Sequence, residues 1–345
     1  MRSVVHRKLG DPAEVLRLEE TPVPALAAHQ VIIRTSYAPI HPGDLLGVKG
    51  SPAAGTPPAI GSGGRIPGFE GAGVVTEIGR GVDPASGIKP GTRVAFFPAG
   101  STWSEQVLVP AGSIVPLPDN VPDAIGALML INTVTALTAL RAAHDSIPTD
   151  ARKDVVAIVT AAGSAVGRLI VKLLIERGVL PIQLVRSEAG AAAVANLFPG
   201  SPVFATETDG WTERVRAVAG GRRIHVAIDS VGGRLLGAVA DLLVDGAGTV
   251  VNFGSLGGEL SDIRIFPPRS LTLKGVMVAS WMRIPPEQRA LDVAVALRLA
   301  AEPAGLFEVA GSYGPSRIAK AVAHVARPGK VGAVLLDFTE KGEGQ

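Results

Sequence analysis

The sequence predicts an α/β protein of two domains, a β-rich region followed by a doubly wound parallel sheet clothed in helices. Three observations predict it. Up to about residue 120, Pro and Gly break the chain into short strand-like runs with no long helical pattern. From about residue 121, Val/Ile-rich runs alternate with amphipathic helical segments, the pattern of a parallel sheet covered on both faces. At residue 155 an apolar run passes through small residues into a helical pattern, VVAIVTAAGSAVGRLIVKLLIERG. A length of 345 residues favours two domains over one.

Taken in order, VIIRTSYA, GAGVVTEIG, TRVAFF and EQVLVP are the strands of the first region, and TPPAIGSGGRIPG (56–68) is a loop by composition. VPDAIGALMLINTVTALTALRAA has Pro in its first turn and helical apolar spacing. The strands VVAIVT, PIQLVR, IHVAIDS, GTVVNFG and LTLKGVMVA then alternate with the helices VGRLIVKLLIERG, EAGAAAVANLF, WTERVRAVAG and GRLLGAVADLLVDG. A helix from about 286, a second in SRIAKAVAHVA and a closing strand VGAVLLDF form a return segment expected to rejoin the first domain. The expected boundaries are 1–122 with 282–345 for the β-rich domain, and 123–281 for the nucleotide-type domain.

Composition narrows the function. The apolar fraction is 47% and aromatics are 4%, so the cores are built from Val, Leu, Ile and Ala. The formal charge of +2 gives no clustered basic face, which argues against nucleic acid as a partner. Without cysteine there is no disulfide, thiolate metal site or catalytic thiol. The N-terminus turns charged at once and lacks a signal core. The most apolar run, IGALMLINTVTALTAL, is interrupted by Asn132 and threonines and is short for a bilayer span. A soluble, cytoplasmic protein with a small-molecule substrate and no membrane partner is expected.

The stretch at 155 is built to bring backbone close to a ligand. Ala161, Ala162, Gly163, Ser164, Ala165 and Gly167 are all small, and the following helix presents unpaired N–H groups and partial positive charge to an anion. Gly167 also allows close helix–strand packing. A strict GxGxxG is absent, and the local sequence alone leaves an ordinary strand–turn–helix open. Arg186 ends the next strand, nineteen positions after Gly167. There an acidic residue would hold ribose hydroxyls, whereas Arg pairs with a 2′-phosphate, so NADPH is the expected cofactor and Ser187 a second donor. A solvated Arg at a strand end is the alternative.

Together these residues resemble the medium-chain dehydrogenase/reductase superfamily, in its zinc-free quinone reductase and 2-enoyl thioester reductase branches. YAPIHPGD (37–44) is similar to an INPSD-type segment, GFEGAGVVTEIG (68–79) to GxEGxGxVxxVG, and INTVTAL (131–137) to NPxTAY. AAGSAVG resembles AxxGxxG with Ser at the middle glycine, and IDSVGG (228–233) and VASW (278–281) belong to the same ordered set. The resemblance implies a GroES-like β-rich catalytic domain followed by a Rossmann domain. It places Asn132 and Thr135 near the nicotinamide and Gly163, Ser164, Ala165, Val166 and Gly167 around the pyrophosphate. Arg186 and Ser187 fall at the adenosine phosphate, and Val231 and Gly232 after the fourth strand. Phe253, Gly254 and Ser255 flank the nicotinamide, with Ser280 and Trp281 on its far side and Lys330 closing over the cofactor. Core packing remains open for Phe253 and Val166, a backbone-bonded hydroxyl for Thr135, and a solvated surface for Lys330.

A zinc dehydrogenase of this superfamily would need Cys at position 41 and His at position 69, where this chain has His41 and Phe69, and only Glu70 remains. One His and one Glu do not make a tetrahedral site, so metal-free hydride delivery to an electron-poor double bond is expected. In the thioester reductases a tyrosine in the loop after the INPSD-type segment is the usual proton donor. LLGVKGSPAAGTPPAIG has none. His41, with an ordinary pKa near ~6.5, is the polar candidate, and Tyr37 lies just before the loop. His41 as a loop-fixing group and Tyr37 as a structural residue are the alternatives, and Asp44 reads as a helix cap. The expected reactions are reduction of an enoyl thioester or enone, or of a quinone, with non-catalytic NADPH binding as a third reading. A homodimer through the edge near LTLKGVMVA is expected by analogy.

Overall fold

The structure is a computed structural model and describes every residue except 52–58, 148, 150–154, 258–260, 262, 303, 304, 328 and 341–345. Contacts divide the chain into two units, Met1–Ile131 with Val293–Pro303 and Phe307–Gln345, and Asn132–Asp292 with Ala304–Leu306. The loop expected at 56–68 therefore lies partly outside the described residues.

In chain order the first unit contains β1 (Arg2–Val5), α1 (Pro12–Val15), β2 (Arg17–Glu20), β3 (Gln30–Pro39), α2 (Pro42–Lys49) and β4 (Gly71–Ile78). It continues with β5 (Arg93–Phe96), β6 (Gln106–Pro110), β7 (Ile114–Pro116) and the start of α3 (Asp123–His144). The second unit holds β8 (Val156–Val159), α4 (Ala165–Glu176), β9 (Leu180–Val185), α5 (Glu188–Leu197) and β10 (Val203–Ala205). There follow α6 (Trp211–Ala219), β11 (Ile224–Asp229), α7 (Gly233–Ala240), β12 (Thr249–Asn252), β13 (Thr272–Gly275) and the start of α8 (Pro286–Ala300). The return segment adds β14 (Val309–Tyr313), α9 (Ile318–Val325) and β15 (Ala333–Asp337) to the first unit. The two long crossings fall inside helices, after Ile131 in α3 and after Asp292 in α8, and Ala304–Leu306 returns briefly to the second unit. The shift in composition at 122 marks where α3 begins, not where its contacts change.

The first unit contains a seven-stranded sheet in the order β14-β15-β3-β4-β5-β7, with β6 also on β3, and a separate antiparallel pair, β1-β2. The period-2 pattern of β3 buries Val31 and Ile33 with Val75, Val94, Phe96, Val107 and Val109 in one core. β15 runs antiparallel to β3, with Leu335 opposite Pro39 and Asp337 opposite Tyr37. Trp103 is fully buried, and its Nε1 donates to the Pro39 carbonyl at 3.0 Å. The Ile40 N–H donates to the Val334 carbonyl. These bonds fix the chain immediately before His41.

The second unit is a six-stranded sheet in the order β10-β9-β8-β11-β12-β13, parallel throughout. The strand order reverses between β8 and β11, which makes their carboxyl ends the topological switch point where ligands bind in such sheets. β8 and β11 are buried along their whole length, matching VAIV in β8 and the Ile, Val and Ala of IHVAID in β11. α4 buries Leu169, Ile170, Leu173 and Leu174 at helical spacing. α3 is long and apolar enough to cross a bilayer by composition, yet 67% of its most apolar window is buried inside the protein.

Seven elements were not read from the sequence: β1, α1, β2, α2, β7, β10 and β14, each of eight residues or fewer. The strand expected over LTLKGVMVA stops at Gly275, and a 3-10 helix, Val278–Arg283, holds VASW.

Candidate cofactor turns and a buried histidine cluster

In the second unit three strand ends meet at the switch point. Ser164 is the N-cap of α4, and its Oγ accepts the Gly167 N–H at 3.0 Å. A Cβ on Gly167 would lie 2.3 Å from the Ala161 carbonyl, so only glycine lets α4 start this close to the turn. Ala165 and Val166 fill the first turn and stay partly exposed. The Gly163 carbonyl accepts Arg168 Nε at 3.1 Å. Buried Arg168 also donates to the Gly305 carbonyl at 2.9 Å, which ties that short segment into the unit.

Asp229, at the end of β11, joins the three turns. It is fully buried. Its Oδ1 accepts Thr160 Oγ1 at 2.6 Å and the Val231 N–H at 3.1 Å. Its Oδ2 accepts the Gly232 N–H at 2.9 Å and Asn252 Nδ2 at 2.8 Å. The Asn252 amide also donates to the Gly254 carbonyl at 2.9 Å, and Thr160 Oγ1 accepts the Ser230 N–H at 3.1 Å. One carboxylate thus orients the ends of β8, β11 and β12, together with Val231, Gly232 and Gly254. Gly232 adopts φ +70°, which its lack of Cβ permits. Asp229, Thr160 and Asn252 were not among the expected site residues. The legible signal was Asp followed by VGG, a side chain placed to cap the two N–H groups that follow it.

The remaining expected positions divide. Arg186 follows β9 with its side chain 65% exposed, 3.8 Å from Glu207 and paired with nothing tighter among the described residues, so it can turn to an anion. Ser187 caps α5 by accepting the Gly190 N–H at 3.3 Å. Phe253 and Val166 are half-buried and stand outside the core of this unit, while Ser255 is exposed. Asn132 is buried and Thr135 half-buried in α3. Ser230 Oγ is buried with no partner among the described residues, a polar atom left over at the switch point. Trp281 is held by a polar contact. Its indole donates to Asp292 Oδ2 at 2.8 Å, and Asp292 holds Arg141 through two bonds of 2.8 and 2.9 Å. This commits the one donor of Trp281 to an ion pair and leaves the expected contact with the nicotinamide to its ring. Ser280, beside it, donates to the Met277 carbonyl.

The first unit contains a second polar cluster. His41 is the N-cap residue of α2, and its backbone N–H donates to Asp44 Oδ2 at 2.8 Å, so Asp44 caps as expected. His41 Nε2 lies 2.8 Å from Glu70 Oε1, and Glu70 Oε2 accepts the Ile131 N–H at 2.8 Å. The Glu70 side chain is 1% exposed and that of His41 17%. Burial pushes the His41 imidazole down, but the hydrogen bond and charge of Glu70, with the charge of Asp44, outweigh it and hold the pKa above its ordinary value. Burial raises Glu70, against its bonds to His41 and Ile131. Burial likewise lifts Asp44 to about 6, against the charge and N–H of His41. Both members of the dyad shift upward, so the pair keeps its proton to higher pH than a free imidazole. Tyr37 is half-buried in β3, and its hydroxyl makes no hydrogen bond with a described residue. Lys330 folds back so that its ammonium donates to the Gly332 carbonyl. Among the described residues no group of three His, Asp or Glu side chains is arranged to hold a metal.

Comparison with known proteins agrees with this division of the chain. The family model described as the alcohol dehydrogenase GroES-like domain matches residues 27–119. The model described as zinc-binding dehydrogenase matches residues 165–296. The mitochondrial enoyl-[acyl-carrier-protein] reductase of Xenopus tropicalis is 28% identical over 291 residues, 82% of this chain and 78% of its own. That of Caenorhabditis elegans is 27% identical over 292 residues, 82% of this chain and 79% of its own. A candidate NADPH:quinone reductase from Bacillus thuringiensis superimposes with a TM-score of 0.83 at 27% identity, covering 97% of this chain and 98% of that one. The Escherichia coli quinone oxidoreductase, solved with NADPH, has a TM-score of 0.83 at 22% identity, covering 98% and 100%, and shares the fold.

Proposed function

The chain belongs to the medium-chain dehydrogenase/reductase superfamily, a family of oxidoreductases, in its zinc-free branch, and on that premise we propose that it is an NADPH-dependent reductase of an activated C=C bond, in a 2-enoyl thioester or an enone. The observation that carries this reading is the likeness to enoyl-[acyl-carrier-protein] reductases over four-fifths of the chain.

The second unit fits the cofactor. The start of α4 leaves N–H groups for a pyrophosphate, Gly167 and Gly232 keep the turns open, and Ser230 Oγ is a buried hydroxyl awaiting a partner. Arg186, exposed and loosely paired, suits a 2′-phosphate. When bound, the reduced nicotinamide supplies a hydride. The chain's own contribution is orientation: Asp229 holds three turns in register, so little ordering remains to be done on binding. The closed tetrahedral set that zinc needs is not available from His41, Glu70 and Phe69.

A second reading, reduction of quinones, is favoured by one observation. The segment after Asp44 has no tyrosine, and a quinone carries its new protons on oxygen, where water supplies them. Association of two copies through the free edge of β13, where Leu273 and Met277 are exposed, belongs to the same proposal; a single-chain mass in light scattering would remove it.

The deciding experiment is NADPH oxidation by purified protein with a crotonyl thioester, an enone and a set of quinones. The expected outcome is turnover of the thioester or enone at least tenfold faster than of any quinone in kcat/KM. No NADPH uptake by calorimetry would refute the proposal as a whole.

A further inference from the structure

A reductase that draws on NADPH tells it from NADH by one phosphate, and Arg186 is the cation placed for that phosphate. We infer that Glu207 competes with the 2′-phosphate for Arg186 and so limits how far the chain prefers NADPH to NADH, an inference that rests on the NADPH reading of the second unit. Three observations carry it. First, the backbone sets the two residues side by side. β10 runs parallel to β9 with Ala205 opposite Val185. The pairing continues past both strands, the Thr206 N–H donating to the Val185 carbonyl at 2.8 Å and the Glu207 N–H to the Arg186 carbonyl at 3.0 Å. Their proximity is thus fixed by the sheet, whichever rotamers the side chains take. Second, the pair is close enough to attract and too long for a hydrogen bond. Arg186 Nε lies 3.8 Å from Glu207 Oε1, and the side chains are 65% and 63% exposed. Glu207 therefore offsets the charge of Arg186 without locking the guanidinium. Third, the loop that carries Glu207 is itself tied down. The Thr208 N–H donates to the Ala205 carbonyl, and Thr208 Oγ1 donates to Glu188 Oε1 at 2.5 Å. Glu188 is the first residue of α5, so a second carboxylate stands near the end of β9.

A 2′-phosphate brings nearly two negative charges and takes a guanidinium through paired N–H donors. To engage Arg186 it must displace Glu207 or settle beside it, and in both cases the carboxylate opposes it. The ribose hydroxyl that NADH carries at the same place brings no charge and meets no such opposition. The cost falls on NADPH alone, which makes Glu207 a specificity-determining residue.

The test is calorimetry on the full chain at low salt, comparing wild type with Glu207→Gln. The NADPH Kd should fall about fivefold, the upper end for an exposed ion pair, while the NADH Kd stays within about twofold. The nucleotide 2′,5′-ADP, which carries the adenosine end alone, should gain as NADPH does, and 5′-AMP should not. At about 0.5 M salt the gain should shrink below about twofold. In the Arg186→Ala background, Glu207→Gln should gain less than about twofold, because the contested cation is gone. Glu207→Lys should tighten NADPH further than Glu207→Gln. An NADPH gain below about twofold at low salt, an equal gain for NADH, or a full gain that survives Arg186→Ala overturns the competition and leaves the reductase reading standing. Wild-type protein that takes up neither NADPH nor 2′,5′-ADP overturns the NADPH reading and this inference with it.

Discussion

Removing the Asp229 carboxylate should loosen the whole cofactor end of the second unit. Four donors converge on it: Thr160 Oγ1, the Val231 and Gly232 N–H groups, and Asn252 Nδ2. In Asp229→Ala the half-buried Val231 and Asn252 can turn to water, but Thr160 and Gly232 lie on buried residues. At about 1–3 kcal/mol for each buried donor left without an acceptor, the loss is about 2–6 kcal/mol. Asp229→Asn is gentler. Its amide can take the place of Oδ1 and donate to Thr160 Oγ1, but the Thr160 hydroxyl proton then loses its acceptor and the half-buried Val231 N–H must turn to water, at about 1–3 kcal/mol. Urea unfolding followed by circular dichroism measures both. The cofactor readout is NADPH fluorescence. Turns that are no longer held must be ordered on binding, so Asp229→Asn should raise the NADPH dissociation constant about tenfold, equivalent to about 1.4 kcal/mol. An Asp229→Ala variant that loses less than about 1 kcal/mol, or an Asp229→Asn variant that binds NADPH as the wild type does, would refute the claim that this carboxylate organises the site.

Arg186→Ala should leave stability within about 0.5 kcal/mol, since the side chain is exposed; NADPH affinity should drop about tenfold while NADH affinity stays within about twofold, and calorimetry showing equal losses would remove the 2′-phosphate role. Asp44, lifted by burial to about 6 from 3.8, stabilises the fold fully below its unfolded value and loses that contribution as pH rises through its folded one. Stability should therefore decline from about pH 4 to about pH 6, and Asp44→Asn should flatten that slope in unfolding curves taken across the range. Asp292→Ala strands Arg141 and the Trp281 indole and should cost about 3 kcal/mol, the low end for a broken buried pair because Arg141 keeps a third of its side chain in water. Neither it nor Trp281→Phe should change NADPH affinity, and a fivefold loss in Trp281→Phe would assign the indole N–H to the cofactor.

Much of the fold was legible because its elements carry strong periods. β8 is a continuous apolar run, β11 is apolar except for His225 and Asp229, and α4 repeats its buried residues at helical spacing. What failed was short or depended on partners distant in sequence. β14 reads VAGSY and becomes a strand because β15 lies beside it, a pairing no local window reports. Trp281 and Asp292 are eleven positions apart and meet Arg141 from 151 positions away, so this ion pair was not legible in any local window. The His41–Glu70 bond spans twenty-nine positions, and the sequence offered His41 alone.

The missing glycine shows why a fingerprint and its physics can part. Ser164 stands at the middle position with φ −72° and ψ 163°, extended backbone open to any residue, so nothing there demands glycine. Its hydroxyl satisfies the Gly167 N–H, which a glycine could not do. Gly167 is different, because a Cβ would run into the Ala161 carbonyl at 2.3 Å. Ala161 itself sits at φ 46°, in the left-handed region where glycine is the usual occupant. The turn thus tolerates side chains at two of its positions and forbids one at the third. A search that weights three glycines equally misses this site, whereas asking at each position what the backbone must do finds it.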